Sequence, residues 1–379
     1  MTTSTTQPRP VELSPLARMT AGLTGGTPGR GGSTLLRHVI YILIGAVLVY
    51  FISYGIDPFR NYQMATVAAY LCVTVGLTML TGMNGQLSLG HSAFMAVGAY
   101  TVALLQNEFS DRNILGTWTL LVSLPAGVLT ASTAGLVIGL CGARLRGPYL
   151  AGVTLAVALV VPAFTTYYSS VFNADQGLSV YVEPPPAALG PYFPSARWQA
   201  WIAIGAAMVT MLFVGNLIRS RYGRAFKAVR DDEVAAKLSG IHVARTQVLA
   251  FVVSAACAGM GGGVIAVITQ AVSPSVFGLT LSLNLLLAIV LGGLGSMFGA
   301  VWGALLLVFL PYLTNQLTDR FEFSGTVTRN LEGNLALAVF GAMLIVVMLL
   351  APSGIQGAFR KLGLVIRRRL ARRRRPAAN

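Results

Sequence analysis

The sequence predicts an all-α polytopic membrane protein, and three observations carry the prediction. Of the 379 residues, 55% are hydrophobic and 10% charged, whereas soluble domains are about a quarter charged. The mean hydropathy is +0.69. The apolar residues are gathered into runs near the roughly 20 residues that a membrane-crossing helix needs, and the basic residues sit in blocks between the runs.

Ten apolar segments follow one another: Leu35 to Ser53, Gln63 to Thr81, Gln86 to Leu105, Trp118 to Cys141, Gly147 to Tyr168, Gln199 to Ile218, Gln247 to Gln270, Leu281 to Leu294, Phe298 to Leu317 and Asn334 to Leu350. The eighth is short for a span, and the breaks after the second and eighth suit re-entrant turns, so about ten transmembrane helices are expected, with a range of about 8–10. Residues 1–33, rich in Thr, Pro, Gly and Arg, lack an apolar core followed by a small-residue cleavage site. They are expected to form a disordered cytoplasmic tail. A transmembrane body then covers 34–352 and a basic cytoplasmic tail 353–379.

Between the second and third segments lies TGMNGQLSLGHSAFMAVGAY, which brings Gly82, Asn84, Gly85, Gln86, Ser88, Gly90, His91 and Ser92 together without a charge. Glycine at this density predicts a broken or re-entrant helix near residues 82–92. The loop from Asn173 to Arg197 contains EPPPAALGPYFP, whose prolines favour extended backbone. A connector and a docking surface for an external partner fit it equally.

The segment from Arg219 to Arg245, within a loop spanning 219–246, is charged and alanine-rich and predicts short surface helices. Glu233 and Lys237 make a favourable i, i+4 pair, Lys227 and Asp231 a reversed one, and Gly240 is placed to end a helix. Gly295, Gly299 and Gly303 recur every four residues, as do Gly259 and Gly263, a spacing that lets helices approach closely in lipid. Gly292-x-x-Gly295 echoes Gly82-x-x-Gly85, a hint of internal repetition. The IRRRLARRRR tail reads as an anchor at an anionic leaflet, where each base contributes about 1 kcal/mol.

Charge sets the orientation. With the N-terminus inside, 22 of the 27 basic residues fall in inner segments, and Asp57, Glu108, Asp111, Asp175, Glu183, Asp319, Glu322 and Glu332 fall outside. Both termini are therefore expected to be cytoplasmic. On this topology no Asp, Glu, Lys or Arg lies well inside a span, which argues against proton- or sodium-coupled transport, although backbone carbonyls with Ser or Asn can also bind sodium.

The chain offers no constellation for catalysis. Cys72, Cys141 and Cys257 have neither disulfide-framework nor zinc spacing, and neither HExxH nor G-x-S-x-G occurs, so no metal site and no catalytic residue is expected. The lysines are Lys227, Lys237 and Lys361, none within a phosphate-cradling glycine loop. Any ATP chemistry must come from another chain.

Glu233-x-Ala235-Ala236-x-x-x-Gly240 resembles the E-A-A-x-x-x-G coupling loop of ABC importer permeases. The wider GRAFKAVRDDEVAAKLSGI, with NGQLSLGHSAFMAVGAY and RLRGPYLAGVTLA, is similar to the LivM-type permease subunit of branched-chain amino acid importers from about Tyr62 to Pro352. The I-x-L-P ending of the broader motif is absent, and Pro148 stands where many relatives are expected to carry an acidic residue. The resemblance implies a multi-pass subunit of the bacterial inner membrane, working with a second permease, two ATPase subunits that use ATP and Mg, and an external solute-binding protein. It implies an ATPase-coupling role for Gly223, Arg224, Ala225, Glu233, Ala235, Ala236 and Gly240. Asn84, Gln86, Ser88, His91, Ser92 and Asn284 are candidates for the substrate pathway, because no span supplies a formal charge to meet a zwitterion. Urea or short amides are alternative cargo, and an autonomous channel or ion-coupled carrier is the alternative class.

Overall fold

The computed structural model describes residues 53–320 except 115, 146–147, 187–188 and 191, together with isolated residues 45, 50, 51, 341–342, 345–346 and 349 and a helical stretch over 354–360. The expected N-terminal tail, and most of the first and tenth apolar segments, lie outside the described residues. All that follows concerns the unit beginning at Val49.

The second to ninth predicted segments are all helical. They form α1 (Pro58–Leu77), α2 (His91–Asp111), α3 (Trp118–Gly142), α4 (Pro148–Tyr167), a one-turn α5 (Ser169–Phe172) and α6 (Ser195–Arg219). After two short helices, α7 (Arg221–Asp231) and α8 (Glu233–Leu238), the chain continues through α9 (Val243–Thr269), α10 (Leu279–Gly292) and α11 (Met297–Arg320). Among the described residues, five helical stretches are long and apolar enough to cross a membrane: Pro58–Met83, Trp118–Gly142, Tyr149–Tyr167, Ser195–Arg219 and Val243–Thr269. The 14 residues of α10 span only about 21 Å, short of a bilayer core, as its sequence segment indicated.

Burial separates inner from outer helices. The most apolar stretches of α9 and α1 are 83% and 72% buried, whereas those of α3, α4 and α6 are 22% buried and present apolar faces outward. Helix α9 takes the centre because of its glycines. A Cβ on Gly259 would press on Ala131 and on the Gly127 carbonyl of α3, one on Gly261 on Val73 and the Ala69 carbonyl of α1, and one on Gly262 on the Met95 carbonyl of α2. Successive residues turn through about 100°, so one GMGGG run admits three different neighbours at backbone distance.

Three sequence expectations are corrected. Helix α2 begins at His91 rather than Gln86, because Gly85 has φ +76° and the polar run to Gly90 is not helical. Gly295 is not on the helical face of Gly299 and Gly303: with φ +77° it forms the turn before α11, and only the latter two pack α11 on α10. The fold also contains a small antiparallel pair, β1 (Leu178–Ser179) with β2 (Ala271–Val272), which ties the proline-rich loop to the end of α9. Asn107 of α2 continues this pairing, donating to the Ser179 carbonyl at 2.7 Å and accepting from the Tyr181 amide at 3.1 Å.

The beginning of the basic tail also packs back onto this unit. In the stretch 354–360, Gly354 has φ +72° and lies against Gly293, while the Phe359 ring stacks on Trp302 at 5.4 Å.

Candidate functional site

The polar cluster of residues 81–92 and the helix pair α7–α8 lie at the same end of the bundle and touch. Helix α1 closes in a π-helical turn, Thr78–Met83, a wide turn that often marks functional sites. The chain then runs non-helically to Gly90, and α2 starts at His91. His91 faces Ser254, eleven residues into α9, which places it about 17 Å along that helix. Residues 84–90 therefore re-enter the bundle, and the break expected near 82–92 is present.

A non-helical backbone at that depth needs partners for its amides, since an unpaired buried N–H is costly. The Leu89 amide donates to Thr154 Oγ1 at 3.0 Å and the Ser92 amide to Ser282 Oγ at 3.0 Å. The Gln86 amide reaches the Leu80 carbonyl at 3.2 Å, and the Ala93 amide the Gly90 carbonyl at 3.1 Å. Gly90 fits because a Cβ there would lie 2.7 Å from the Thr154 carbonyl.

Side chains alternate along this segment as in a strand. Asn84, Gln86 and Ser88 point inward, while Gly85 is exposed and Leu87 is 52% exposed. Asn84 Nδ2 donates to Gln86 Oε1 at 2.8 Å. His91 is fully buried, with Nδ1 3.0 Å from Ser88 Oγ and Nε2 2.7 Å from Ser254 Oγ. Ser92 Oγ lies 2.6 Å from Ser282 Oγ. Five of the six pathway candidates thus gather in one buried polar band joining α2 to α9 and α10. The sixth, Asn284, is half-buried on α10, and its Oδ1 is buried without a hydrogen-bond partner.

The helix pair is built from local signals. Ser220 caps α7 by accepting from the Tyr222 amide at 3.1 Å, and Gly223, Phe226 and Val229 form its buried face. Gly223 is required there, since a Cβ would strike the Ile218 carbonyl. Asp232 caps α8, its Oδ1 accepting from the amides of Val234 at 2.8 Å and Ala235 at 3.0 Å. Gly240, at φ +81°, ends α8 in a Schellman arrangement, with its amide on the Lys237 carbonyl and the Ile241 amide on the Ala236 carbonyl, both at 3.0 Å.

Of the remaining loop candidates, Ala236 packs with Val229 and Val243, Ala225 is half-buried, and Arg224 and Ala235 are exposed. Glu233 accepts from Gln247 Nε2 at 3.2 Å, and Asp231 is held by Arg230 rather than by the Lys227 expected from spacing. Val234 and Leu238, one turn apart on α8, are 66% and 86% exposed. Beside their contact a cavity of about 260 Å³ lies between the pair and the break, lined by Leu87, Leu150 and Gln86 and by Val229, Arg230 and Glu233.

Sequence reading missed Thr154, Ser254 and Ser282, single hydroxyls in apolar helices whose importance lies in partners far along the chain. It also missed Arg230, one base among seven in the loop, and the apolar pair Val234 and Leu238, whose i, i+4 spacing was readable.

A family model described as branched-chain amino acid transport system, permease component, matches residues 61–348. The chain is 30% identical to the high-affinity branched-chain amino acid transport system permease protein LivM of Escherichia coli K12, across 86% of this chain and 77% of the relative. It is 26% identical to the corresponding permease protein LivH of Salmonella typhimurium, across 76% of this chain and 92% of that one. With the permease protein BraD of Pseudomonas aeruginosa it shares 25% identity over the same fractions. No solved structure matches.

Proposed function

The chain belongs to the family of branched-chain amino acid transport permease components, and we propose that it is the membrane subunit of an ATP-driven importer for leucine, isoleucine and valine. It is a multi-pass membrane protein and a transport component. Its partners in this reading are a second, related permease, two ATPase subunits that use ATP and Mg, and an external solute-binding protein. Its place is the bacterial inner membrane, with α7 and α8 on the cytoplasmic side where the positive charge gathers.

The observation that carries this reading beyond the family is α8. It is capped at both ends by its own residues, Asp232 and Gly240, and still presents Val234 and Leu238 to solvent. An independently closed turn with an exposed apolar pair is suited to dock in a groove of another protein. ATP-driven closure of the ATPases then moves α7–α8, and the adjoining break opens a path between the permeases. Cargo passes the buried band around Asn84, Gln86, Ser88, His91 and Ser92, whose dipoles meet the ammonium and carboxylate while apolar helix faces meet the side chain.

The test is uptake by the reconstituted complex. Labelled leucine, isoleucine and valine should accumulate only with ATP and binding protein, and urea should not. Uptake by this chain alone in liposomes, without ATPase or ATP, would refute the reading.

A further inference from the structure

We propose that Arg230 is the positioning residue that carries movement of the α7–α8 pair into the re-entrant break, an inference that rests on the importer reading above. The chain leaves the helix after the π-helical turn, so the Gly82 carbonyl has no following turn to donate to it. Arg230 Nη1 supplies the donor at 2.8 Å from the last turn of α7. Its Nε and Nη2 are held by Asp231 Oδ1 at 3.0 and 2.7 Å, which fixes the plane of the guanidinium.

The two glycines of the break are shaped around this contact. Gly85 is exposed, has φ +76°, and a Cβ there would lie 2.9 Å from Arg230 Cγ, so the arginine stem lies directly over it. Gly82 packs on its other side against Gly295, where a Cβ would collide with the backbone of the α10–α11 turn. One side chain from the surface helices therefore grips the junction at which both interrupted helix pairs meet. The 260 Å³ cavity around it leaves the break room to shift when α7 moves. Phe226, fully buried one turn earlier on the same helix, packs α7 against the end of the bundle beside this contact.

A merely structural arginine would affect assembly or stability, whereas a transmitting one sets how much transport each ATP yields. The experiment compares the reconstituted complex carrying the unaltered chain, Arg230→Ala, Arg230→Lys and Asp231→Asn. It measures labelled leucine taken up per ATP hydrolysed, and retention of the ATPases on purification. Arg230→Ala should keep the ATPases bound and hydrolysing while leucine per ATP falls about tenfold. Arg230→Lys, which keeps one charged donor, should recover part of that ratio, and Asp231→Asn should lower it less than Arg230→Ala does. An unchanged ratio in Arg230→Ala overturns the inference. If that complex does not assemble, unchanged ratios in both Arg230→Lys and Asp231→Asn overturn it instead. Absence of ATP-dependent uptake in the unaltered complex overturns both this inference and the importer reading, whereas normal uptake with unchanged variants overturns this one alone.

Discussion

His91 Nε2 and Ser254 Oγ lie 2.7 Å apart, joining residues 163 positions distant in the chain. With Ser88 on the other ring nitrogen, the imidazole bridges the re-entrant segment and the central helix where nothing is exposed. Such a bridge serves the fold whether or not cargo passes beside it. Ser254→Ala leaves Nε2 buried without its partner, a loss of about 1–3 kcal/mol. Thermal unfolding in detergent should show a lower midpoint, with His91→Ala lower still. Full stability with altered leucine uptake would instead mark the bridge as part of the path.

Packing by α9 gives a contrast between glycines. Gly262→Ala puts a methyl group into the Met95 carbonyl. The backbones must separate, and overpacking of this kind costs about 1–3 kcal/mol. Gly152 and Gly205, inside α4 and α6, have nothing within 4 Å of a Cβ. Alanine at either should hold or raise stability by up to about 1 kcal/mol through helix propensity alone. Midpoints of the isolated subunit in detergent check both, and equal effects at the two classes of site would contradict this packing scheme.

The surface of α8 should matter to assembly and not to folding. Val234→Asp and Leu238→Asp alter side chains that are 66% and 86% exposed, so the subunit should fold and insert unchanged. If these side chains fill a groove in the ATPase, each loses about 1.5–3 kcal/mol of apolar burial, and retention of the ATPase on affinity purification should fall by tenfold or more. Gly240→Ala acts differently. It forces a left-handed conformation on alanine at a cost of about 1–2 kcal/mol and should loosen the end of α8. Retention unaffected by either aspartate would rule out this face as the contact.

Much of this fold was legible because hydropathy and helix length obey the same constraint in lipid. The second to ninth apolar runs each became a helix, and glycine density between Gly82 and Gly90 located the break. Gly240 was legible for a local reason, since a Schellman turn is decided within a few residues. What escaped depends on contacts across the chain. Ser282 looks like any hydroxyl in an apolar run until the Ser92 amide is found beside it. Gly295 kept the four-residue rhythm of Gly299 and Gly303 and still left the helix, because it meets Gly82 rather than α10. The echo between their two motifs proved to be a physical contact.

Orientation can be tested with single cysteines, because the proline-rich loop and α8 sit at opposite ends of the bundle. Tyr192 is 95% exposed in that loop, and Lys237 is exposed on α8. Cys72 and Cys257 are buried and should stay silent, but Cys141 is exposed at the end of α3 and must first become serine. In intact cells a membrane-impermeant maleimide should label Tyr192→Cys and leave Lys237→Cys unmodified until the membrane is opened. This is the outcome expected from the charge distribution, since translocating seven bases between Arg219 and Arg245 would oppose the positive-inside bias. Labelling of Lys237→Cys in intact cells would invert the topology and remove α8 from the reach of any cytoplasmic ATPase.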